Sequence, residues 1–262
     1  MILDDLKTAA LHNVAADRAI VSAEVMKARA LSLPTQRDFP FQKAIAQPGM
    51  SFICEVKKAS PSKGVIAEEF PYRSIAAAYE AAGAAAVSVL TEREYFQGST
   101  THLWEIAAAV SIPVLRKDVI VDAYQIYEAK ACGASAILLI CAVLCDDELQ
   151  PFHELATALG LSVLVEAHDE AEIDRALACG ATIIGVNNRN LRDFSVSLDT
   201  SLILRKRVPP SVLFVAESGI KTRADVQRLE AAGADAVLIG ETLMRSRDKK
   251  RDLAMLAGRE GV

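Results

Sequence analysis

The sequence predicts an α/β fold, a closed (β/α)8 TIM barrel with an N-terminal helical extension. The first observation behind this prediction is a repeat, because four short segments that contain glycine lie about 50 residues apart. They are residues 82–85, 132–135, 179–182 and 232–235. Each follows an alanine-rich stretch of helical character and precedes a short apolar run. Glycine just past a helix end adopts a positive φ without a Cβ penalty, so each segment indicates a helix end followed by a strand.

The second observation is an apolar run midway between successive repeats. A period of about 50 residues is twice the length of a short helix-loop-strand unit, so a further strand is expected in each interval. One strand begins at Phe52, and the others are predicted at 86–90, 112–117, 136–140, 161–166, 183–186, 212–217 and 236–239. Helices are predicted between strands, for example at 73–82, 122–132, 170–179 and 222–232.

The strand pattern favours a closed parallel barrel. Short, continuously apolar strands that alternate with helices indicate a parallel sheet covered on both faces. Eight such units in roughly 210 residues fit a barrel better than an open doubly wound sheet. No G-x-G-x-x-G segment follows the first strand, as a dinucleotide-binding chain would require.

The first 50 residues precede the first predicted strand. Leu3, Leu6, Ala10 and Val14 suit one face of a helix, and residues 19–31 predict a second helix that ends before Pro34. Fifty residues are too few to form a core of their own. We therefore expect residues 1–50 to pack on the barrel as an extension, so that residues 1–262 form a single domain.

Composition and charge exclude several classes of protein. The chain has 262 residues, 52% of them hydrophobic, and a net charge of -5, which argues against disorder and against a nucleic-acid partner. It contains no apolar segment long enough for a membrane span and no signal peptide, so we expect a cytoplasmic protein. The five cysteines and four histidines show no metal-ligand spacing, so no metal is expected. No outer helix shows an apolar outward stripe, which favours a monomer or a weak homodimer.

Polar side chains stand at the carboxyl ends of the predicted strands, where a barrel of this kind places its active site. Because side chains alternate along a strand, Glu55 and Lys57 share one face. The full set at these ends is Glu55, Lys57, Lys117, Glu166, Asn187, Arg189, Glu217, Gly240 and Glu241. Three carboxylates, two amines and an amide are thus predicted to converge on one cavity.

Two loops are placed to bind phosphate. Barrels of this type often bind phosphate with the loops after strands seven and eight, where this chain has Ser218-Gly219 and Gly240-Glu241. Glycine lets backbone N–H groups approach an anion closely. The carboxylate of Glu241 is an awkward neighbour for phosphate, so we expect its side chain to point away.

Several ordered motifs resemble one known family, indole-3-glycerol-phosphate synthase. The motifs are Glu55-Val56-Lys57-Lys58-Ala59-Ser60-Pro61-Ser62-Lys63-Gly64, Leu90-Thr91-Glu92, Tyr95-Phe96-Gln97-Gly98-Ser99, Leu115-Arg116-Lys117-Asp118, Val165-Glu166, residues 184–191, residues 216–220 and Leu238-Ile239-Gly240. The resemblance implies a lyase of tryptophan biosynthesis that needs no cofactor. Its phosphorylated small-molecule substrate would be 1-(2-carboxyphenylamino)-1-deoxyribulose 5-phosphate, which undergoes ring closure, loss of CO2 and loss of water.

The resemblance also implies roles for the strand-end residues. Lys117 would donate a proton to the ketone oxygen during ring closure, and Lys57 would hold the anthranilate carboxylate. Glu55 and Glu166 would supply the acid and the base of dehydration, with Lys57 as an alternative acid. Asn187 and Glu217 would hold the sugar hydroxyls and orient the lysines.

The resemblance carries over further substrate contacts. Ser60, Ser218, Gly219 and Gly240 would contact phosphate. Leu90, Phe96 and Leu138 would enclose the aromatic ring, or serve as ordinary core residues. Arg189 is either a substrate contact or a structural ion-pair partner. The chain departs from many relatives at Ala59, Val119 and Glu241, which leaves phosphate affinity and ring packing open.

Two other functions compete with this interpretation. Another phosphate-binding barrel is possible, such as phosphoribosylanthranilate isomerase or a Schiff-base aldolase, but an aldolase needs a neutral, nucleophilic lysine. A barrel that binds sugar phosphates without catalysis would lack the strand-end acids, and they are present.

Overall fold

The protein is described by a computed structural model that covers residues 2–259. Eight parallel strands form a closed barrel. In chain order they are β1 (Ser51–Val56), β2 (Ala86–Leu90), β3 (Val114–Lys117), β4 (Ala136–Ile140), β5 (Ser162–Ala167), β6 (Ile183–Asn187), β7 (Leu213–Glu217) and β8 (Ala236–Ile239). Each strand pairs with its neighbour in sequence, and β1 pairs with β8 to close the ring, with Cys54 opposite Ile239. The predicted TIM barrel is confirmed.

Helices cover the outside of the barrel. They are α1 (Ile2–Ile20), α2 (Ala23–Leu31), α3 (Pro40–Ile45), α4 (Tyr72–Ala81), α5 (Thr100–Ala109), α6 (Ala123–Ala131), α7 (Asp146–Ala158), α8 (Glu170–Ala178), α9 (Asp199–Leu204) with a following 3-10 turn (Arg205–Arg207), α10 (Arg223–Ala231), α11 (Glu241–Met244) and α12 (Lys249–Ala257). Within residues 2–259, no helix is long and apolar enough to cross a membrane.

The strands form where apolar runs can be buried on both faces. All residues of β1, β2, β4, β5 and β8 are buried, and the bounds of β2, β4 and β8 match the prediction. The strand predicted from residue 112 begins only at Val114. Pro113 precedes it and has no N–H for the strand ladder.

Helix α1 of the N-terminal extension lies across the mouth of the barrel, at the carboxyl ends of the strands. Lys7 donates a hydrogen bond to the carbonyl of Val143, which follows β4, and Arg93, which follows β2, pairs with Asp17. The extension is confirmed, whereas the single-domain boundary stays a prediction. The prediction of one helix over residues 19–31 was wrong at its start, because α1 continues to Ile20 and Ser22 caps α2 by accepting a hydrogen bond from the N–H of Val25.

Two further elements were not predicted. Helix α3 closes the bottom of the barrel, where Phe41 and Ile45 are fully buried and the N–H of Gln42 donates to Ser162 at the start of β5. The segment after β1 contains a two-stranded hairpin in which Ala59–Ser60 pairs with Gly64–Val65.

Candidate active site

A cavity of about 830 Å³ opens at the carboxyl ends of the strands. All but two of the predicted site residues line it: Glu55, Lys57, Ser60, Leu90, Phe96, Lys117, Asn187, Arg189, Glu217, Ser218, Gly219, Gly240 and Glu241. The exceptions are Glu166 and Leu138. Glu166 is buried, and its carboxylate contacts Lys117, which lines the cavity. Leu138 pairs in register with Leu164 and lies one layer deeper than Glu166.

Lys117 occupies the centre of the charged group. Its ammonium Nζ lies 3.3 Å from Oε2 of Glu166 and 3.5 Å from Oε2 of Glu217. Burial alone would lower the pKa of Lys117, but the charges of Glu166, Glu217 and Glu55 outweigh burial and raise this pKa. Lys117 is therefore a protonated donor at neutral pH.

Glu166 and Glu217 share this lysine, and their pKa values move in opposite directions. Burial raises the pKa of Glu217 to about 8, since the charges of Glu166 and Glu55 add to the effect of burial and Lys117 only partly opposes it. Burial acts in the same direction on Glu166, but Lys117, the charge of His168 and a hydrogen bond from Asn187 outweigh burial and lower the pKa of Glu166. Of these two neighbouring acids beside one cation, Glu166 is therefore the stronger acid and Glu217 the weaker.

A second pair of opposite charges lies on β1. Nζ of Lys57 is 2.5 Å from Oε1 of Glu55, which is only 4% exposed. The pairing agrees with the prediction that both side chains share one face of the strand.

Two glycines provide the space for these carboxylates. A Cβ added at Gly185 would lie 2.3 Å from Oε1 of Glu217, and one at Gly240 would lie 2.3 Å from Oε1 of Glu55 and 2.9 Å from Nζ of Lys57. Such distances are far inside van der Waals contact. Gly240 therefore has a steric role that the sequence analysis, which treated it as a phosphate contact, did not foresee.

The loop after β7 has an unusual backbone. Ser218 has φ of 66° and Gly219 has φ of 83°, both in the left-handed region. A non-glycine residue in this region is uncommon outside functional loops. The side chain of Asn188 holds the loop by donating to the carbonyl of Ser218.

Three cations line the cavity near this loop, and the sequence analysis did not single them out. They are Lys63, Lys221 and Arg245. Arg245 lies 3.2 Å from the carboxylate of Glu241, and Lys63 lies 3.8 Å from it. The Glu241 carboxylate is thus paired with two cations, and Glu241 also lines the cavity.

Arg189 has no carboxylate partner within 4 Å among residues 2–259. Its guanidinium donates to the carbonyl of Phe194 at 3.3 Å, and its N–H donates to Oδ1 of Asn187 at 3.1 Å. Since Arg189 also lines the cavity, this arrangement favours the substrate-contact interpretation over the structural ion pair.

The apolar wall is larger than predicted. Besides Leu90 and Phe96, it includes Ile2 and Leu6 of α1, Leu191, Phe194, Val196 and Leu198 of the loop after β6, Ile66 after β1, Ile220 after β7, and Leu238 of β8. No strand-end rule could identify Ile2 and Leu6, because their place depends on how the extension crosses the mouth.

Comparison with known proteins agrees with this geometry. The family model described as indole-3-glycerol phosphate synthase matches residues 3–256. The protein of that name from Ruminiclostridium cellulolyticum is 52% identical to this chain over 258 residues, which cover 98% of this chain and 99% of the relative. The one from Leuconostoc mesenteroides is 50% identical over 260 residues, with 98% and 99% covered.

Solved structures are more distant. A 3-hexulose-6-phosphate synthase matches with a TM-score of 0.65 at 14% identity, covering 81% of this chain and 100% of that one. Thiamine phosphate pyrophosphorylase from Pyrococcus furiosus matches with a TM-score of 0.58 at 16% identity, covering 80% and 94%. At such identities the likeness supports the barrel fold alone. The sequence matches go further: the chain belongs to the indole-3-glycerol phosphate synthase family.

Proposed function

We propose that the residues of the barrel mouth carry out the indole-3-glycerol phosphate synthase reaction in the roles described below. The chain is a carboxy-lyase of tryptophan biosynthesis, which converts 1-(2-carboxyphenylamino)-1-deoxyribulose 5-phosphate to indole-3-glycerol phosphate. The observation that carries the proposal is the Lys117 ammonium, held between Glu166 and Glu217 at the cavity. The reaction forms one C–C bond, breaks the C–C bond to the carboxylate and one C–O bond, and involves no net oxidation or reduction, so it needs no redox cofactor.

Ring closure requires a proton donor. As the aromatic carbon that bears the carboxylate attacks the ketone carbon, the ketone oxygen gains negative charge and must be protonated. A positioned side chain contributes about 10²- to 10⁴-fold to such a step. Lys117 fits this role, since the surrounding carboxylates keep it protonated. The same charges oppose the neutral amine that a Schiff-base aldolase would need.

Lys57 holds the anthranilate carboxylate until it leaves as CO2. Its ammonium lines the cavity, and Arg189 offers a second cation there. Loss of CO2 then restores the aromatic ring.

Dehydration requires an acid for the departing hydroxyl and a base for the ring proton. Glu55 and Glu166 divide these two tasks between them. Asn187 and Glu217 orient the catalytic groups: the Asn187 amide donates to Oε1 of Glu166 at 3.2 Å, and Glu217 lies within 3.5 Å of Lys117.

The phosphate site combines backbone and cations. Ser60, Ser218, Gly219 and Gly240 contact the phosphate, together with the backbone of Glu241, because these residues line the cavity together with the cations Lys63, Lys221 and Arg245. Leu90 and Phe96 enclose the aromatic ring, with Leu138 supporting them from the layer below. The enzyme acts in the cytoplasm as a monomer or weak homodimer.

Turnover of the synthetic substrate, followed by indole fluorescence, tests the proposal. We expect indole to form and borohydride to trap no substrate adduct on Lys117. A trapped adduct on Lys117 would favour an aldolase. Binding without turnover would favour a barrel that has lost catalysis.

A further inference from the structure

His168 lies directly beyond the catalytic end of β5 and contacts Glu166. Its Nε2 is 3.3 Å from Oε1 of Glu166, within ion-pair distance but without the geometry of a hydrogen bond. Its Nδ1 is 3.1 Å from Oε2 of Glu172, one turn into α8, and the same oxygen accepts the backbone N–H of His168 at 2.7 Å. Glu172 therefore fixes both the backbone and the ring of His168, and the ring edge faces Glu166.

The ring completes the set of partners around the Glu166 carboxylate. Oε2 faces Lys117, while Oε1 faces the Asn187 amide at 3.2 Å and His168 at 3.3 Å. Because Glu166 is only 1% exposed, water does not compete for these oxygens. A carboxylate with both oxygens occupied cannot rotate away from Lys117 without losing a partner.

His168 also borders a second cavity. This cavity has a volume of about 510 Å³ and is lined by His168, Glu172 and parts of the loop after β6, including Asn190 and Arg192. Glu166 lines neither cavity. The ring of His168 thus contacts Glu166 and also borders the second cavity.

Charge in this region favours a protonated ring. Burial alone would lower the pKa of His168, but the hydrogen bond to Glu172 and the charges of Glu166, Glu172 and Glu217 outweigh burial and raise this pKa. The charge of His168 in turn lowers the pKa of Glu166. Besides Glu166 itself, the ionisable groups around His168 and Glu166 are Lys117, Cys141, Glu172, Arg175 and Glu217.

We propose that His168, oriented by Glu172, is a positioning residue that fixes the Glu166 carboxylate beside Lys117. The inference rests on the proposed role of Glu166 in dehydration. A purely structural role for His168 would be to stabilise the start of α8 by a hydrogen bond to Glu172. The backbone N–H of His168 already donates such a hydrogen bond. Substitution of the ring therefore leaves the helix start intact.

The test compares His168→Ala, His168→Gln and Glu166→Gln in the indole fluorescence assay over a range of pH. For His168→Ala we expect kcat to fall about tenfold or more with KM within about twofold, since a misplaced acid or base affects the chemical step. Its pH profile should move to higher pH, because Glu166 loses a cation that favours ionisation. His168→Gln keeps an N–H donor without charge, so it should recover kcat but keep the shifted profile.

Two further measurements separate the role from a folding defect. Imidazole reaches the vacated position from the second cavity, so it should restore part of the kcat of His168→Ala. His153→Gln, on the outer helix α7, is the matched control and should leave kcat unchanged, because His153 lines neither cavity. If His168→Ala does not fold, the pH profile of His168→Gln decides.

The possible failures are distinguishable. Wild-type kcat and pH profile in both His168 variants, with Glu166→Gln inactive, would overturn the inference and leave the role of Glu166 intact. Wild-type turnover in Glu166→Gln would instead overturn the proposed role of Glu166 itself.

Discussion

Gly240→Ala should abolish most activity while leaving the fold stable. Gly240 has φ of −110°, which alanine also adopts. The added methyl group would lie 2.3 Å from Oε1 of Glu55 and 2.9 Å from Nζ of Lys57. Both atoms are ends of side chains, so they can move, and the backbone need not.

The size of the effect follows from these distances. An ordinary carbon–oxygen contact is about 3.3 Å or longer, so the Glu55 carboxylate must retreat by roughly 1 Å. A displacement of about 1 Å in a catalytic group can cost about 10²-fold in rate. The unfolding free energy should change by less than about 1 kcal/mol, since Gly→Ala at a compatible φ also reduces the entropy of the unfolded chain.

Gly98→Ala provides the contrast. A Cβ at Gly98 would lie 2.4 Å from the carbonyl oxygen of Leu90 and 2.8 Å from that of Glu92. These are backbone atoms, so this variant should lose stability, on the order of 1–3 kcal/mol. Urea unfolding gives the free energies for both variants, and indole fluorescence gives kcat and KM.

The kinetic split decides the role of Gly240. If Gly240 served only as a phosphate contact, the substitution would raise KM and spare kcat. A kcat within about threefold of wild type would refute the steric argument, and so would a loss of stability equal to that of Gly98→Ala.

The remaining predictions concern three buried charges. Lys117→Met should lower kcat by about 10²- to 10⁴-fold; a variant that kept most of its rate in the fluorescence assay would remove the general-acid assignment. The pKa of Glu217 is about 8 in the folded protein, against an ordinary value of 4.5. The protonated side chain therefore contributes fully to the stability of the fold below about pH 4.5, and this contribution is lost as pH rises through 8. Glu217→Gln mimics the protonated form, so its unfolding free energy in urea should fall less between pH 5 and pH 9 than that of the wild type. At pH 9 the variant should be the more stable protein by on the order of a few kcal/mol. An equal fall in the two proteins would contradict the raised pKa. Arg116 is buried between Asp118 and Glu128 at 2.9 and 2.8 Å, so Arg116→Met should cost about 3–5 kcal/mol of unfolding free energy, and a cost below about 1 kcal/mol would show that the three charges are not coupled.

The strands and the strand-end residues could be predicted because both depend on local pattern. Continuous apolar runs of β-branched and aliphatic residues located the barrel strands to within two residues, as in β4 and β8. Alternation along a strand then assigned Glu55 and Lys117 to the inner face. Parallel strands bring their carboxyl ends to one edge, so residues distant in sequence were predicted to meet.

Alternation gives the face of a residue, but not its depth or its partners. Glu166 does not line the cavity, although its carboxylate lies 3.3 Å from Nζ of Lys117. Arg116 stands on the opposite face of β3 from Lys117, and its pairing with Glu128 on α6 depends on packing between strand and helix. The six-residue helix Pro40–Ile45 is too short to show helical periodicity.

The hydrogen bonds between the first and last strands have a consequence for assembly. Glu55 comes from β1, whereas the glycine that leaves room for it follows β8 and is among the last barrel residues in the chain. Neither half of the polypeptide alone contains a complete set of reacting groups, so catalytic competence must arise late, when the ring closes. Deleting any one strand would break the closed ring that brings Glu55 beside Gly240.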